Sequence, residues 1–584
     1  MRSGSTRESP VVLFRTDWVS PARTITGRDH LGVQAVSEHL YVALLPSITN
    51  VTDRARCYAF YPWFVWAFDR EAKKKSADEL IRLFRRAECL HTLVGINHEL
   101  ETGEERPHGG DLVGRETLFP VAQSIFNGSC IRLSQYASLD ATEEDRYFKN
   151  PLGGLGQYYL GPLKDLEVLD GDAKTGLRYT AEWGSTLARL YEEGVDRKIF
   201  FETIHQDRVD RKALHSLQAF CPCHLRKNKR ERDALIDLLF WRGKGDLKQE
   251  LGQERRNTLL LLLDYAKRIR GMKGHFPDPK GFLASAYSRV LPDGTPWDIP
   301  QMLESAANGW SIYQRHELLA VAVQALFWAG LSALSAEGGH VRDTASYSAW
   351  FAKRFDAVLS GQFASSQVAK IIETRRASQP PHSSRQLADH ELNLAYAVFE
   401  ALAADDSDQT VSLATQVIVA LVARNPADSG YGQFVLSDRF LETYEINLAS
   451  LHNFAARIWT EMSTREWLDW LAGKWGVQVH FRVALRKLRH QLQDTFRIVP
   501  LDDGLQVREA PPTKWSLPRL AQALRFLYDL AALDELEDVE NQPWVLSALG
   551  EELQDKKAGL LNLDSGELKY YASGFLTRIQ ALSH

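Results

Sequence analysis

The sequence predicts a mainly α, multi-domain helical scaffold with two winged-helix-like modules built on short β-hairpins. Apolar residues recur at i, i+3, i+4 and i+7 through most of the 584 residues, which places them on one face of a helix. Strictly alternating runs, the mark of half-buried strands, are scarce. Where the helical rhythm breaks, it breaks twice in one order: helix, short strand, turn, short strand, helix.

The first elements are a helix pair at 31–46 and 51–69, split by Pro46-Ser-Ile-Thr-Asn50, with Thr49 or Asn50 able to cap the second. The second helix carries Tyr58, Phe60, Tyr61, Trp63, Phe64, Trp66 and Phe68 all around it, so burial on most sides is expected, with a kink at Pro62. A third helix follows at 77–100, with Arg82, Arg85 and Arg86 expected on its outer face. The first break is at 147–180. A Gly-rich entry leads to an aromatic helix, then Leu166-Glu-Val-Leu-Asp170, a turn at Asp170-Gly171 that needs φ > 0, and a return through Leu177-Arg-Tyr-Thr180. Helices are expected next at 231–242, 255–271, 279–290, 312–334, 343–359, 391–403, 411–423 and 440–462, with an exposed linker at 375–385.

The second break runs from 463 to 534. Ser463-Thr-Arg-Glu466 fits a capping box, and the helix it starts leads into a second, basic helix at 477–493. Thr495-Phe-Arg-Ile-Val499, Asp502-Asp-Gly504 and Leu505-Gln-Val-Arg508 then read as a hairpin. The divisions that result are 1–110 (helical), 111–200 (first winged module), 201–375 (central helical), 376–462 (helical after the linker), 463–540 (second winged module) and 541–584 (helical tail).

Lys and Arg total 70 against 75 Asp and Glu, a net charge of −5, which excludes a globally cationic nucleic-acid or membrane binder. Five cysteines in so long a chain do not make a disulfide framework, and residues 1–10 are polar with no apolar run after them. A cytoplasmic protein is expected. The 17-residue apolar run at 318–334 would reach about 25 Å as a helix, short of a bilayer core of about 30 Å. It reads as a buried core helix.

Several chemistries lack their motifs. There is no G-x-x-x-x-G-K-[ST] loop and no G-x-S-x-G elbow. Gly153-Gly-Leu-Gly156 has no βαβ unit around it. His98-Glu99, His316-Glu317 and His390-Glu391 lack the second His of a zinc-protease helix. Trp310, Tyr313, His316 and Glu317 share one helix face, as a core with a satisfied polar pair would, or a pocket.

Cys221-Pro-Cys223-His224 is the most unusual local cluster. Cys221, Cys223 and His224 are candidate zinc ligands, with His205 and His215 available to complete a tetrahedron. A single residue between the cysteines is fewer than the usual two to four, so a plain structural turn is the competing reading. Directly after it, Arg226, Lys227, Lys229, Arg230 and Arg232 put five positive charges in seven residues. Arg226, Lys227, Lys229 and Arg230 there, with Arg482, Arg486, Lys487 and Arg489 in the second winged module, are the candidate phosphate contacts for DNA.

Ile48-Thr-Asn-Val-Thr-Asp-Arg54 before the Tyr61-Pro-Trp63 helix, the Phe220-Cys-Pro-Cys-His224 turn, and the C-terminal basic helix with its wing together resemble the large helical subunits encoded in bacterial phage- and plasmid-defence islands. That resemblance covers most of the chain and implies an accessory subunit working beside a helicase, ATPase or nuclease; it carries over no catalytic residue. The expectation is therefore a DNA-binding scaffold or sensor subunit of a multi-protein antiviral defence system. The alternatives are a metal-dependent hydrolase or nuclease using Cys221, Cys223 and His224, and a winged-helix transcription regulator.

Overall fold

A computed structural model describes residues 23–24 and 29–559, except 50, 52–53, 72–75, 106–107, 141–144, 173–174, 241–245, 382–389, 425–443 and 536–542; its described side chains also leave out 246–251 and those after 554. The chain is mainly helical, and among the described residues the strands lie in small sheets of two or three. Of the expected C-terminal tail, the part past 559 lies outside the described residues, as do 382–385 of the 375–385 linker, whose first four residues are not linker but the end of helix Val368–Ser378.

Helix Glu304–Ala336, 33 residues long, is the central element and packs against Ser407–Ala423, Pro279–Ser288 and Val33–Leu44. Together with the 3₁₀ turn before it, this is the one stretch among the described residues long and apolar enough to cross a membrane, and most of its apolar window is buried inside the fold. Its Trp310-to-Glu317 face is core. Trp310 donates to Thr258 Oγ1 at 3.1 Å, the Tyr313 hydroxyl lies 2.7 Å from Ser516 Oγ, and Ser37 Oγ lies 3.1 Å from His316 Nδ1. Glu317 accepts from the Ser37 hydroxyl and, at 2.7 Å, from the Ser516 amide.

Burial pushes the Glu317 carboxyl up from the usual 4.5 to about 7. The folded state then holds a proton that the unfolded state has lost between those two values, so stability from this group falls as pH rises through that window. At about 1.4 kcal/mol per pH unit the loss reaches ~3 kcal/mol. Glu317→Gln, which cannot ionise, should therefore gain up to ~3 kcal/mol relative to wild type between about pH 5 and about pH 8. Melting curves of both proteins at the two pH values check this; a constant difference contradicts it.

In the N-terminal half, helix Cys57–Glu71 is buried on every side through Phe68, as its all-round aromatics predict, and packs on Trp183–Glu192. Trp63 stands against Phe200 and Phe220 with ring centroids 5.3 and 5.2 Å away. Helix Ala77–Thr102 corrects one expectation. Arg85 is buried, not on the outer face: its guanidinium donates to the carbonyls of Ala137, Ser138, Phe148 and Asn150 at 2.6–2.9 Å and lies over the Tyr147 ring. Loop carbonyls replace water here, which periodicity alone cannot show.

The region at 147–193 keeps its predicted order of elements: helix Leu160–Asp165, strands Leu169–Asp170 and Arg178–Tyr179 paired antiparallel, helix Trp183–Glu192. The connection is longer than a tight turn, spanning 171–177. Gly171 has φ +83°, and a Cβ there would meet the Gly176 carbonyl oxygen at 1.9 Å. In the second region Ser463 and Glu466 form the predicted capping box. The two helices expected after it run on without a turn, because a π-helical stretch, Leu471–Gln478, joins Thr464–Trp470 to Val479–Gln491. The hairpin Ile498–Leu501 with Gly504–Val507 is present and gains a third strand, His340–Val341, from the end of the central helix. Of the helix expected at 440–462, residues 440–443 lie outside the described residues, and the rest is not one helix but Leu448–Arg457, capped by Asn447, then a 3₁₀ turn at Trp459–Glu461.

Candidate metal centre

His98, His108, Cys221 and Cys223 converge so that their donor atoms all lie within 4.8 Å of one another, the one such cluster of three or more ligand-type side chains among the described residues. Cys221 Sγ is 3.4 Å from His108 Nδ1, and Cys223 Sγ is 3.6 Å from His98 Nδ1. A tetrahedron with Zn–N of about 2.0–2.1 Å and Zn–S of about 2.3 Å has mixed N–S edges of about 3.5–3.6 Å. The two nitrogen–sulfur spacings, 3.4 and 3.6 Å, are close to such an edge. Two thiolates would neutralise a zinc ion, which suits a centre where Cys221, Cys223 and His108 are buried and His98 half-buried.

Each ligand is brought in by an identifiable local device. His98 lies in the last turns of helix Ala77–Thr102, which Gly103 ends in a left-handed conformation, φ +78°. The chain then doubles back to put His108 beside His98, ring centroids 4.1 Å apart. Glycine makes the close return possible: a Cβ on Gly109 would meet Glu99 Oε2 at 2.3 Å, and one on Gly95 would meet Leu112 at 2.4 Å. Arg115 holds the return by a two-point pair to Glu99 at 2.7 and 2.9 Å. Cys221 follows the 3₁₀ turn Gln218–Phe220, and Cys223 precedes the short helix His224–Lys227, whose first amide donates to the Cys221 carbonyl at 3.1 Å.

The surroundings are those of a metal site. His108 Nε2 faces Glu104 Oε2 at 3.8 Å, an electrostatic contact to the ring nitrogen turned away from the sulfurs. Hydrogen bonds from Cys221 and then from His108, His224 and His98 hold the Cys223 thiol low, while burial pushes the Cys221 thiol up. Two buried arginines fix the ligand-bearing loops. Arg54 donates to the His108 and Gly110 carbonyls at 2.9 and 3.3 Å and pairs with Asp529 through two 3.1 Å bonds. Arg56 donates to the Ala219 and Cys221 carbonyls at 2.6 Å and pairs with Glu231 at 3.0 and 3.2 Å.

Of the sequence-expected ligands, Cys221 and Cys223 are in the cluster. His224 Nδ1 lies 3.4 Å from Cys223 Sγ but falls outside the four-donor set, where it serves as a neighbour of the sulfur. His205 and His215 do not complete the site. Both are exposed, His215 beside Glu101 at 3.4 Å and His205 against Phe201. The missing pair is His98 and His108. Their signal was present in His98-Glu-Leu-Glu-Thr-Gly103 followed by His108-Gly-Gly110: two histidines flanking a helix-ending glycine.

The basic residues divide. Arg226 is turned inward over the Tyr528 ring at 4.3 Å and donates to the Leu533 carbonyl at 3.0 Å. Lys227, Lys229 and Arg230 are exposed, Arg230 with a surface partner in Glu193 at 2.6 Å. Along Val479–Gln491, Arg482 pairs with Glu445 at 2.8 Å, Arg486 lies over Tyr444, and Lys487 donates to the Asp29 carbonyl at 2.7 Å. Arg489 is exposed. No protein-family model, curated protein or solved structure matches the chain.

Proposed function

We propose that the protein is a nucleic-acid-engaging helical scaffold held together by a structural zinc ion at His98, His108, Cys221 and Cys223. The observation that carries this reading is the convergence of four protein donors within 4.8 Å of one another, two of the nitrogen–sulfur pairs lying at 3.4 and 3.6 Å. A catalytic zinc keeps one position for water or substrate, whereas four protein ligands close the shell. A hydrolase working through Cys221, Cys223 and His224 would need that open position, so the closed shell favours the scaffold.

The nucleic-acid part of the reading draws its support from what the centre fixes. Lys227, Lys229 and Arg230 follow the last ligand within seven residues and are exposed, Arg230 in a surface pair with Glu193, where the short helix His224–Lys227 meets helix Lys229–Leu239. Such cations contact phosphates without reading sequence. The helix at 479–491 contributes less, since Arg482, Arg486 and Lys487 already have partners within the fold. Cysteines outside any disulfide suit a reducing cytoplasm. A setting beside a helicase, ATPase or nuclease in a defence system follows from the sequence resemblance and belongs to the same proposal.

The test is a triple charge reversal, Lys227→Glu, Lys229→Glu and Arg230→Glu, read as DNA retention against salt. Losing three phosphate contacts should flatten the log–log salt slope by about 2.7 and cut low-salt affinity by an order of magnitude or more. Retention equal to wild type at every salt concentration contradicts the nucleic-acid role of these three residues, and the zinc content of the same variant should stay unchanged.

A further inference from the structure

Both ligand-bearing loops are gripped from the same distant part of the chain. Asp529, buried at the end of helix Leu520–Asp529, takes the two-point pair from Arg54, the residue that holds the His108 and Gly110 carbonyls. It also accepts from the Ala55 amide at 3.0 Å. The second grip runs the other way. Arg226, three residues after Cys223, reaches over the Tyr528 ring at 4.3 Å, donates to the Tyr528 and Leu533 carbonyls, and pairs with Asp534. Gly110 is packed so closely here that a Cβ on it would meet the Arg525 guanidinium at 3.3 Å.

Between these anchors the chain leaves the helix through Ala531, a residue with a side chain at φ +58°, and enters the hairpin Leu533–Glu535 with Trp544–Leu546. A left-handed alanine costs on the order of 1 kcal/mol and persists only where its surroundings hold it. Its amide donates to the Tyr528 carbonyl at 2.8 Å and its carbonyl accepts from the Ser547 hydroxyl at 2.7 Å, while the grips of Arg54 on Asp529 and of Arg226 on Leu533 flank it on either side.

We infer that the metal centre is a latch for this C-terminal segment: zinc binding fixes the backbone that carries His108 and that carries Cys221 and Cys223, and these, through Arg54 and Arg226, hold Tyr528–Glu535 and its paired strand Trp544–Leu546 against the N-terminal half. The inference rests on the zinc reading above. It adds a direction of control, because docking of the segment and retention of the metal must then favour each other by the same factor. Loss of zinc releases a hairpin more than 400 residues from the first ligand in sequence, the difference between 98 and 533. Any partner that competes for the 528–546 segment would in turn loosen the metal.

Hydrogen–deuterium exchange on the full chain tests this, with amides in 528–546 as the reporter and helix Thr344–Gln362 as the internal reference. Stripping zinc with a chelator should speed exchange in 528–546 by about tenfold or more, within the usual range of coupling factors, and leave the reference unchanged. Arg226→Gln, which removes the grip but no ligand, should speed the same amides while keeping one zinc per chain, and should release that zinc to a chelator about tenfold faster. If stripping zinc exposes the reference helix as well, the Arg226→Gln result decides. Zinc that binds and leaves with no change at 528–546, or an Arg226→Gln protein with wild-type exchange, overturns the latch while leaving the metal centre standing. A protein that takes up no zinc overturns the metal reading itself.

Discussion

Cys223→Ser should strip the protein of its metal and cost on the order of 4 kcal/mol or more of stability, the range that loss of a structural metal occupies. A serine hydroxyl is a hard, weakly acidic donor and replaces a thiolate poorly at zinc. The cost has two parts. The binding free energy of the ion is lost, and the buried His108 and Cys221 and the half-buried His98 are left without the ion that organised them. Cys130→Ser is the control: Cys130 is exposed, accepts from Arg208 at 3.0 Å and lies outside the cluster, so this variant should keep its zinc and its melting temperature. Metal content and thermal midpoint of the two variants, measured side by side, separate a ligand effect from a general effect of losing a thiol.

Glu231→Gln should cost about 3–5 kcal/mol, the usual result of removing one partner from a buried ion pair. Arg56 and Glu231 are both fully buried, so the remaining guanidinium would keep its charge with no counter-ion and no water. Replacing both together, Arg56→Met with Glu231→Leu, removes the unpaired charge and should recover part of the loss. Full recovery is not expected, because Arg56 also satisfies the carbonyls of Ala219 and Cys221 at 2.6 Å. The shortfall in a double-mutant cycle measures what those two bonds contribute to the cysteine loop. Full recovery by the double variant would mean that Arg56 does not hold the cysteine loop.

The fold class was readable because it depends on periodicity, and the all-round aromatic burial of Cys57–Glu71 and the capping box at Ser463 were readable for the same local reason. The continuity of 464–491 was not readable, since Gly473 and Gly476 resemble a turn while the chain passes through them as a π-helical stretch. The metal centre was half legible. Cys221 and Cys223 stood out as a local pair, whereas His98 and His108 reach them only because a glycine-ended helix folds back and two arginines clamp the loops. Basic clusters were the least informative feature. Arg226, Arg482, Arg486 and Lys487 look alike in sequence to Lys227 and Lys229, but the first four have carboxylate, aromatic or carbonyl partners, set by tertiary contacts with Asp534, Glu445, Tyr444 and the Asp29 carbonyl.

Metal analysis of the purified full-length protein tests the central claim most directly. One equivalent of zinc per chain is expected, retained through gel filtration and absent from the Cys223→Ser and His108→Ala variants. Wild-type protein that carries no zinc and takes none up when it is offered would contradict the metal centre.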